Sequence, residues 1–160
     1  YEIPGVGRFR VNAHYQRNTV ALSFRTINDK VRPIEELYLP EIVHKLTYLP
    51  RGLILVTGGT GSGKSTTLAG MVDAMNKREY CHIITVEDPI EFIHKHQGCL
   101  INQREVGTDT KSFSSALKYA LREDPEVTHL IHVDPKRLVA AYARRGRCHR
   151  GLPPPERLGG

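Results

Sequence analysis

Leu53-Ile54-Leu55-Val56-Thr57-Gly58-Gly59-Thr60-Gly61-Ser62-Gly63-Lys64-Ser65 joins an apolar run to a glycine-rich octapeptide that fits G-x-x-x-x-G-K-[ST] at every fixed position. An unbroken run such as Leu53–Val56 is expected of a strand buried on both faces. Beyond the glycines, Leu68, Met71, Val72 and Met75 fall at i, i+3, i+4 and i+7, which predicts a helix with one apolar stripe. Strand, glycine turn and helix are the context in which backbone N–H groups converge on an anion at a helix N-terminus. Lys64 is placed to reach β- and γ-phosphates, and the Ser65 hydroxyl to ligate Mg²⁺.

The pattern repeats downstream. Ile83-Ile84-Thr85-Val86 reads as the next strand, and Cys99 to Val106 as strand or extended chain. Phe113, Leu117, Ala120 and Leu121 stripe a second helix that Asp109 or Thr110 is available to cap, and Val127 to Val133 offers a last strand. Alternating strand and helix predict an α/β fold with a parallel sheet. Glu87-Asp88-Pro89 then falls at a strand end, on the sheet edge where open α/β folds collect ligands. Glu87 is the candidate general base, with Asp88 and Glu91 as candidate helpers for Mg²⁺ or its waters. A strand-ending turn bearing solvated acids is the competing reading of Asp88-Pro89.

Upstream, Phe9, Val11, Ala13 and Val20, Leu22, Phe24 alternate with polar or small residues around the stretch Tyr15 to Thr19, which predicts a β-hairpin. A lone hairpin is marginally stable, so it reads as the remnant of a small β-containing domain. Asn28-Asp29-Lys30 and Pro33 mark a linker, and Leu37 to Tyr48 suggests one or two short helices.

The 160 residues, 39% hydrophobic, suffice for one domain-sized core. Of the formal charge of +6, most belongs to residues 134–160, where seven basic residues face two acidic ones. The body is nearly neutral, so no nucleic-acid partner is expected. No apolar run approaches a membrane span of roughly 18 residues, and the chain reads as soluble and cytoplasmic. Cys81, Cys99 and Cys148 show no C-x-x-C spacing and read as plain buried thiols. His94-Lys95-His96 lacks a third ligand at suitable spacing and reads as a polar turn.

Several stretches, in order, carry a resemblance to a known family. Glu2-Ile3-Pro4-Gly5, Arg8-Phe9-Arg10-Val11-Asn12, the glycine loop with Thr66-Thr67-Leu68-Ala69, Thr85 to Phe92, Asn102 to Gly107 and Ala120 to Pro125 are similar to the type IV pilus retraction ATPases, the twitching-motility branch of the secretion ATPase superfamily. The resemblance implies a RecA-like P-loop ATPase core, incomplete here, behind the end of a PAS-like α+β domain. It also implies a homo-oligomeric, hexameric ring that uses ATP and Mg²⁺ to power pilus retraction, as a cytoplasmic motor peripheral to the inner membrane through the pilus machinery. Gly58, Gly59, Thr60, Gly61, Ser62, Gly63, Lys64, Ser65 and Thr66 would then hold the nucleotide, Ser65 the metal, and Glu87 would be the catalytic glutamate. A nucleotide-binding fragment without turnover and a RecA-like nucleic-acid ATPase are the alternatives. Arg8, Arg10, Arg104 and Arg122 are candidates to reach a neighbouring subunit's phosphates.

The chain departs from the family pattern twice. Gly59 stands where members usually carry Pro, which leaves the backbone amides intact. After Val127, the Gly-Glu-Met-Arg-Asp of the Walker B region is replaced: His132 occupies the place of its glutamate, and Asp134 is out of register. The organisation expected is therefore a remnant and linker over residues 1–32, a partial ATPase core over 33–133, and a basic, disordered tail over 134–160.

Overall fold

The computed structural model describes residues 1–27, 30–59, 61–120, 122–123, 127–134 and 137–144, the last two spans through their backbone. Expectations resting on Asn28, Asp29, Thr60, Leu121, Cys148 or the end of the tail lie outside these residues.

The N-terminal unit is a three-stranded antiparallel sheet, β1 (Glu2–Ile3), β2 (Gly7–Gln16) and β3 (Thr19–Ile27), in that order. The strands run longer than the alternation alone indicates. Arg17 and Asn18 both have positive φ, at 47° and 61°, so a two-residue loop closes the hairpin with the twist its strands need. Register follows, pairing Val11 with Phe24 and Ala13 with Leu22 on one face.

A 3₁₀ turn (Ile34–Leu37) and a short α1 (Glu41–Leu46) precede the main sheet; α1 falls within the span Leu37 to Tyr48 expected to be helical, whereas the 3₁₀ turn lies before it but for Leu37. The sheet contains β4 (Gly52–Thr57), β5 (His82–Glu87), β6 (Leu100–Glu105), β7 (Val127–Asp134) and β8 (Arg137–Arg144), in the order β4-β8-β7-β5-β6. β7 and β6 both run parallel to β5, while β8 is antiparallel to β4 and β7. Residues Arg137–Arg144 are thus extended and paired, where disorder was expected of 134–160. Val139 and Tyr142 favour a strand, and the alanines and basic residues around them hid that signal.

Helix α2 (Lys64–Arg78) lies on one face of the sheet. Its Leu68, Met71, Val72 and Met75 form a core with Ile34, Cys81, Ile83, Cys99 and Ile101. Helix α3 (Phe113–Ala120) covers the other face, where Ala116 and Ala120 meet Ile84 and Val86. Strand β5 is therefore buried on both sides, with odd residues toward α2 and even residues toward α3.

Two expectations need correction. β4 is covered on one face only: Ile54 and Val56 pack on the α2 core, whereas Leu53 and Leu55 are 64% and 58% exposed. The start of α3 is capped by Ser112, whose Oγ accepts the Ser115 N–H at 3.1 Å, and not by Asp109 or Thr110. Those two residues are used in the preceding turn, where Asp109 accepts the Glu105 N–H and Thr110 accepts that of Gly107.

Candidate functional site: a phosphate loop and a buried carboxylate

β4 delivers the chain to Gly58 at the C-terminal edge of the parallel strands, and α2 leaves from Gly63. Gly61 and Gly63 have φ of +77° and +87°, conformations that a side chain would strain. A Cβ on Gly58 would stand 2.7 Å from Ser62 Oγ, so the loop closes where only glycine fits. The first backbone bond of α2 runs from Thr67 N to Gly63 O at 2.8 Å. The amides of Lys64, Ser65 and Thr66 therefore precede the helical ladder and remain at the open N-terminus.

Lys64 is buried, at 9% exposure, and folds back over the loop. Its Nζ donates to the Gly59 carbonyl at 2.5 Å and approaches Ser62 Oγ at 3.4 Å, while Ser62 Oγ donates to the same carbonyl at 2.8 Å. A carbonyl dipole is a weaker partner for an ammonium than an anionic oxygen, so a phosphate entering the loop would exchange a neutral partner for a charged one. Ser65 and Thr66 are half-buried in the first turn of α2. The loop thus fits a phosphate, and the Ser65 hydroxyl stands beside it as an oxygen donor suited to Mg²⁺.

Glu87 ends β5 at the same edge and on the α2 face, with β8 and β7 lying between its strand and β4. Three strand spacings, about 14 Å, separate β5 from β4. Glu87 is 3% exposed and its carboxyl is tightly held. Thr85 Oγ1 donates to Oε1 at 2.7 Å and Gln103 Nε2 to the same oxygen at 3.1 Å, whereas among the described residues Oε2 receives only the Glu91 N–H at 3.4 Å. Burial raises the pKa of Glu87 above its ordinary value of 4.5, against the lowering effect of these bonds. Asp88 and Glu91 are exposed beside it.

Gln103 was not singled out from the sequence, yet it organises this end of the sheet. Besides Glu87, its Nε2 donates to the Phe92 carbonyl at 2.8 Å, and its Oε1 accepts the His94 N–H at 2.8 Å. Asn76 was missed as well. From inside α2 it donates to the Lys95 carbonyl at 2.7 Å and accepts the N–H groups of Gln97 and Cys99, each at 3.2 Å. Asparagine is a poor helix former, and its place in the last turn of α2 is the signal that was available.

Several of the other candidates make contacts within the chain. Among the described residues no group of three potential ligands forms a metal site. His96 Nδ1 accepts the Ile101 N–H at 3.0 Å, and burial holds the His94 imidazole down to about 4, so it is neutral near pH 7. Arg104 pairs with Glu123 at 2.6 Å, Arg8 with Glu2 at 3.3 Å, and Arg122 lies over the Tyr119 ring. No described helix is long and apolar enough to cross a membrane.

A mostly parallel sheet with helices on both faces and a phosphate loop between β4 and α2 defines a P-loop α/β protein with a partial RecA-like core. Comparison with known proteins sharpens this. The model of the family described as type II/IV secretion system protein matches residues 15–131, and the chain belongs to that family. It is 57% identical over 127 residues to the type IV pilus retractation ATPase PilT of Pseudomonas aeruginosa, covering 79% of this chain and 37% of that protein. It is 55% identical to the type IV pilus ATPase PilU of the same organism, covering 77% and 32%. Among solved structures, the pilus retraction motor PilT with bound ADP superposes with a TM-score of 0.81 at 51% identity, over 83% of this chain and 39% of that one. The Legionella pneumophila ATPase DotB gives 0.71 at 27% identity, over 81% and 38%. The chain spans about a third of the length of the curated relatives it matches.

Proposed function

We propose that this chain is the nucleotide-binding part of a type IV pilus retraction ATPase and that it binds Mg²⁺–ATP at Gly58–Thr66. The observation that carries the reading is the glycine loop with Lys64 folded over it at the N-terminus of α2. The backbone amides of the loop receive the phosphates, Lys64 leaves the Gly59 carbonyl for the β- and γ-phosphate oxygens, and Ser65 offers its hydroxyl to the metal. When bound, Mg²⁺ neutralises charge on the terminal phosphates. Glu87 accepts a proton from the attacking water in the assembled motor, through Oε2, because Oε1 is already engaged by two donors.

Residues 1–32 are the end of a PAS-like domain and its linker, 33–133 the partial core, and residues from 134 onward a segment outside the family pattern that contributes β8. The complete motor is a hexameric ring at the inner face of the cytoplasmic membrane, acting with the pilus machinery, with no nucleic-acid partner.

Turnover at a motor's rate is not expected of the chain by itself, because His132 stands where the family carries the Walker B glutamate and the chain spans about a third of the length of its relatives. Calorimetry with Mg²⁺–ATP tests the binding. Losing a charged hydrogen bond costs about 1.5–3 kcal/mol, so Lys64→Ala is expected to bind roughly 10- to 150-fold more weakly. Equal affinities in two folded proteins would overturn the reading. Phosphate release sensitive to Glu87→Gln would show instead that the chain carries a working catalytic set.

A further inference from the structure

Cys81 and Cys99, separated by residues 82–98, meet at the edge of the sheet opposite the phosphate loop. They immediately precede the in-register pair His82 and Leu100, and the Leu100 N–H donates to the Cys81 carbonyl at 2.9 Å. Their sulfur atoms are 3.3 Å apart, both are thiols, and both side chains are buried. Neighbouring strands lie about 4.8 Å apart, inside the roughly 4.4–6.8 Å between Cα atoms that a disulfide accepts. Bond formation therefore asks for an approach of little more than an ångström between the sulfurs, without moving either strand to a new position.

We propose that Cys81 and Cys99 form an oxidisable dithiol site that a hydroperoxide converts to an intramolecular disulfide. Cys81 is the residue oxidised first, because it is 9% exposed against 2% for Cys99. Its thiol loses a proton to solvent, and the thiolate attacks the peroxide. An S–O bond forms, the O–O bond breaks, and hydroxide leaves, taking up a proton as water. Cys99 sulfur then displaces hydroxide from the Cys81 sulfenic acid: the S–S bond forms, the S–O bond breaks, and the Cys99 proton leaves with the hydroxide as a second water. Two thiols are oxidised, one hydrogen peroxide is reduced, and the balance closes. Cys99 Sγ also lies 3.1 Å from the Glu79 carbonyl, a contact that holds the resolving sulfur beside its partner.

The bond would close a loop around residues 82–98, which hold all of β5, Glu87 and the acidic stretch Asp88 to Glu91. Oxidation would thus fasten the starts of β5 and β6 together at the end remote from Glu87, leaving the carboxyl's own hydrogen bonds in place.

The test is a peptide map of the folded chain after treatment with hydrogen peroxide and quenching with N-ethylmaleimide. Trypsin separates the two cysteines at Lys95, so the bond is expected to link peptide 79–95 to peptide 96–104, two hydrogens lighter than their sum and released by dithiothreitol. Cys148→Ser should leave that product unchanged, and the yield should fall when peroxide is applied in guanidinium. Alkylation of both peptides after peroxide treatment, sulfinic or sulfonic Cys81 without a cross-link, or a link made mainly through Cys148 would each overturn the proposal. The wild-type map alone decides it, whether or not a Cys81→Ser variant folds.

Discussion

Replacing Gln103 by Leu removes one amide group and three hydrogen bonds while keeping a side chain of similar length. The bonds lost are those to Glu87 Oε1 at 3.1 Å, to the Phe92 carbonyl at 2.8 Å and from the His94 N–H at 2.8 Å. Each typically contributes about 0.5–1.5 kcal/mol net, and the half-buried position lets water replace part of the loss. The expected destabilisation is therefore about 2 kcal/mol, which at a urea slope of about 2 kcal/mol/M lowers the unfolding midpoint by roughly 1 M. A second effect separates this role from simple packing. Glu87 loses a donor that favours its ionised form, so its pKa should move further up, as carboxyl ¹³C NMR would record. A midpoint within about 0.2 M of wild type, or a Glu87 titration that does not move, would refute the account of Gln103 as the residue organising this end of the sheet.

Glu87→Gln should stabilise the chain relative to wild type increasingly as pH rises. With its folded pKa above 4.5, Glu87 binds its proton more tightly folded than unfolded, so wild-type stability falls between 4.5 and that raised value, and Gln escapes the loss. Urea midpoints of both proteins from pH 4 to 8 would show it, and parallel curves would contradict it. Gly98→Ala should cost about 1–3 kcal/mol by the same assay, because the added Cβ would press into the carbonyl oxygens of Glu79 and Asn76. Ser112→Ala should cost about 0.5–2 kcal/mol, and Asp109→Ala should leave α3 its cap, a difference that circular dichroism melts can resolve.

The phosphate loop and the strand–helix alternation were legible because each rests on local chemistry. Glycines at positive φ and an apolar stripe at helical spacing need no knowledge of the rest of the chain. Glu87 was legible by position, at the end of a predicted strand, but its burial was not, because that depends on Thr85 and Gln103 arriving from adjacent register positions. Gln103 stands in the polar run Asn102-Gln103-Arg104-Glu105, where no periodic signal marks one member from the others, which is why it was missed. The contact between Cys81 and Cys99 was hidden for a different reason: two residues far apart in sequence become neighbours only when a parallel crossover sets them side by side. β4 shows the opposite error. Four consecutive apolar residues imply two covered faces, yet Leu53 and Leu55 stay exposed, since a composition rule cannot say which helices are present to cover them.

The two-sided burial of β5 also limits how this segment can evolve. Ile83, Thr85 and Glu87 face α2 while Ile84 and Val86 face α3, so the position of the carboxyl depends on whether its place in the strand is odd or even. Deleting or inserting one residue between Ile83 and Glu87 would turn the carboxyl toward Ala116 and Ala120 and put an apolar side chain in its place. Point substitutions can accumulate at these positions one by one, but a change of length must come in pairs of residues to keep the acid on its own side.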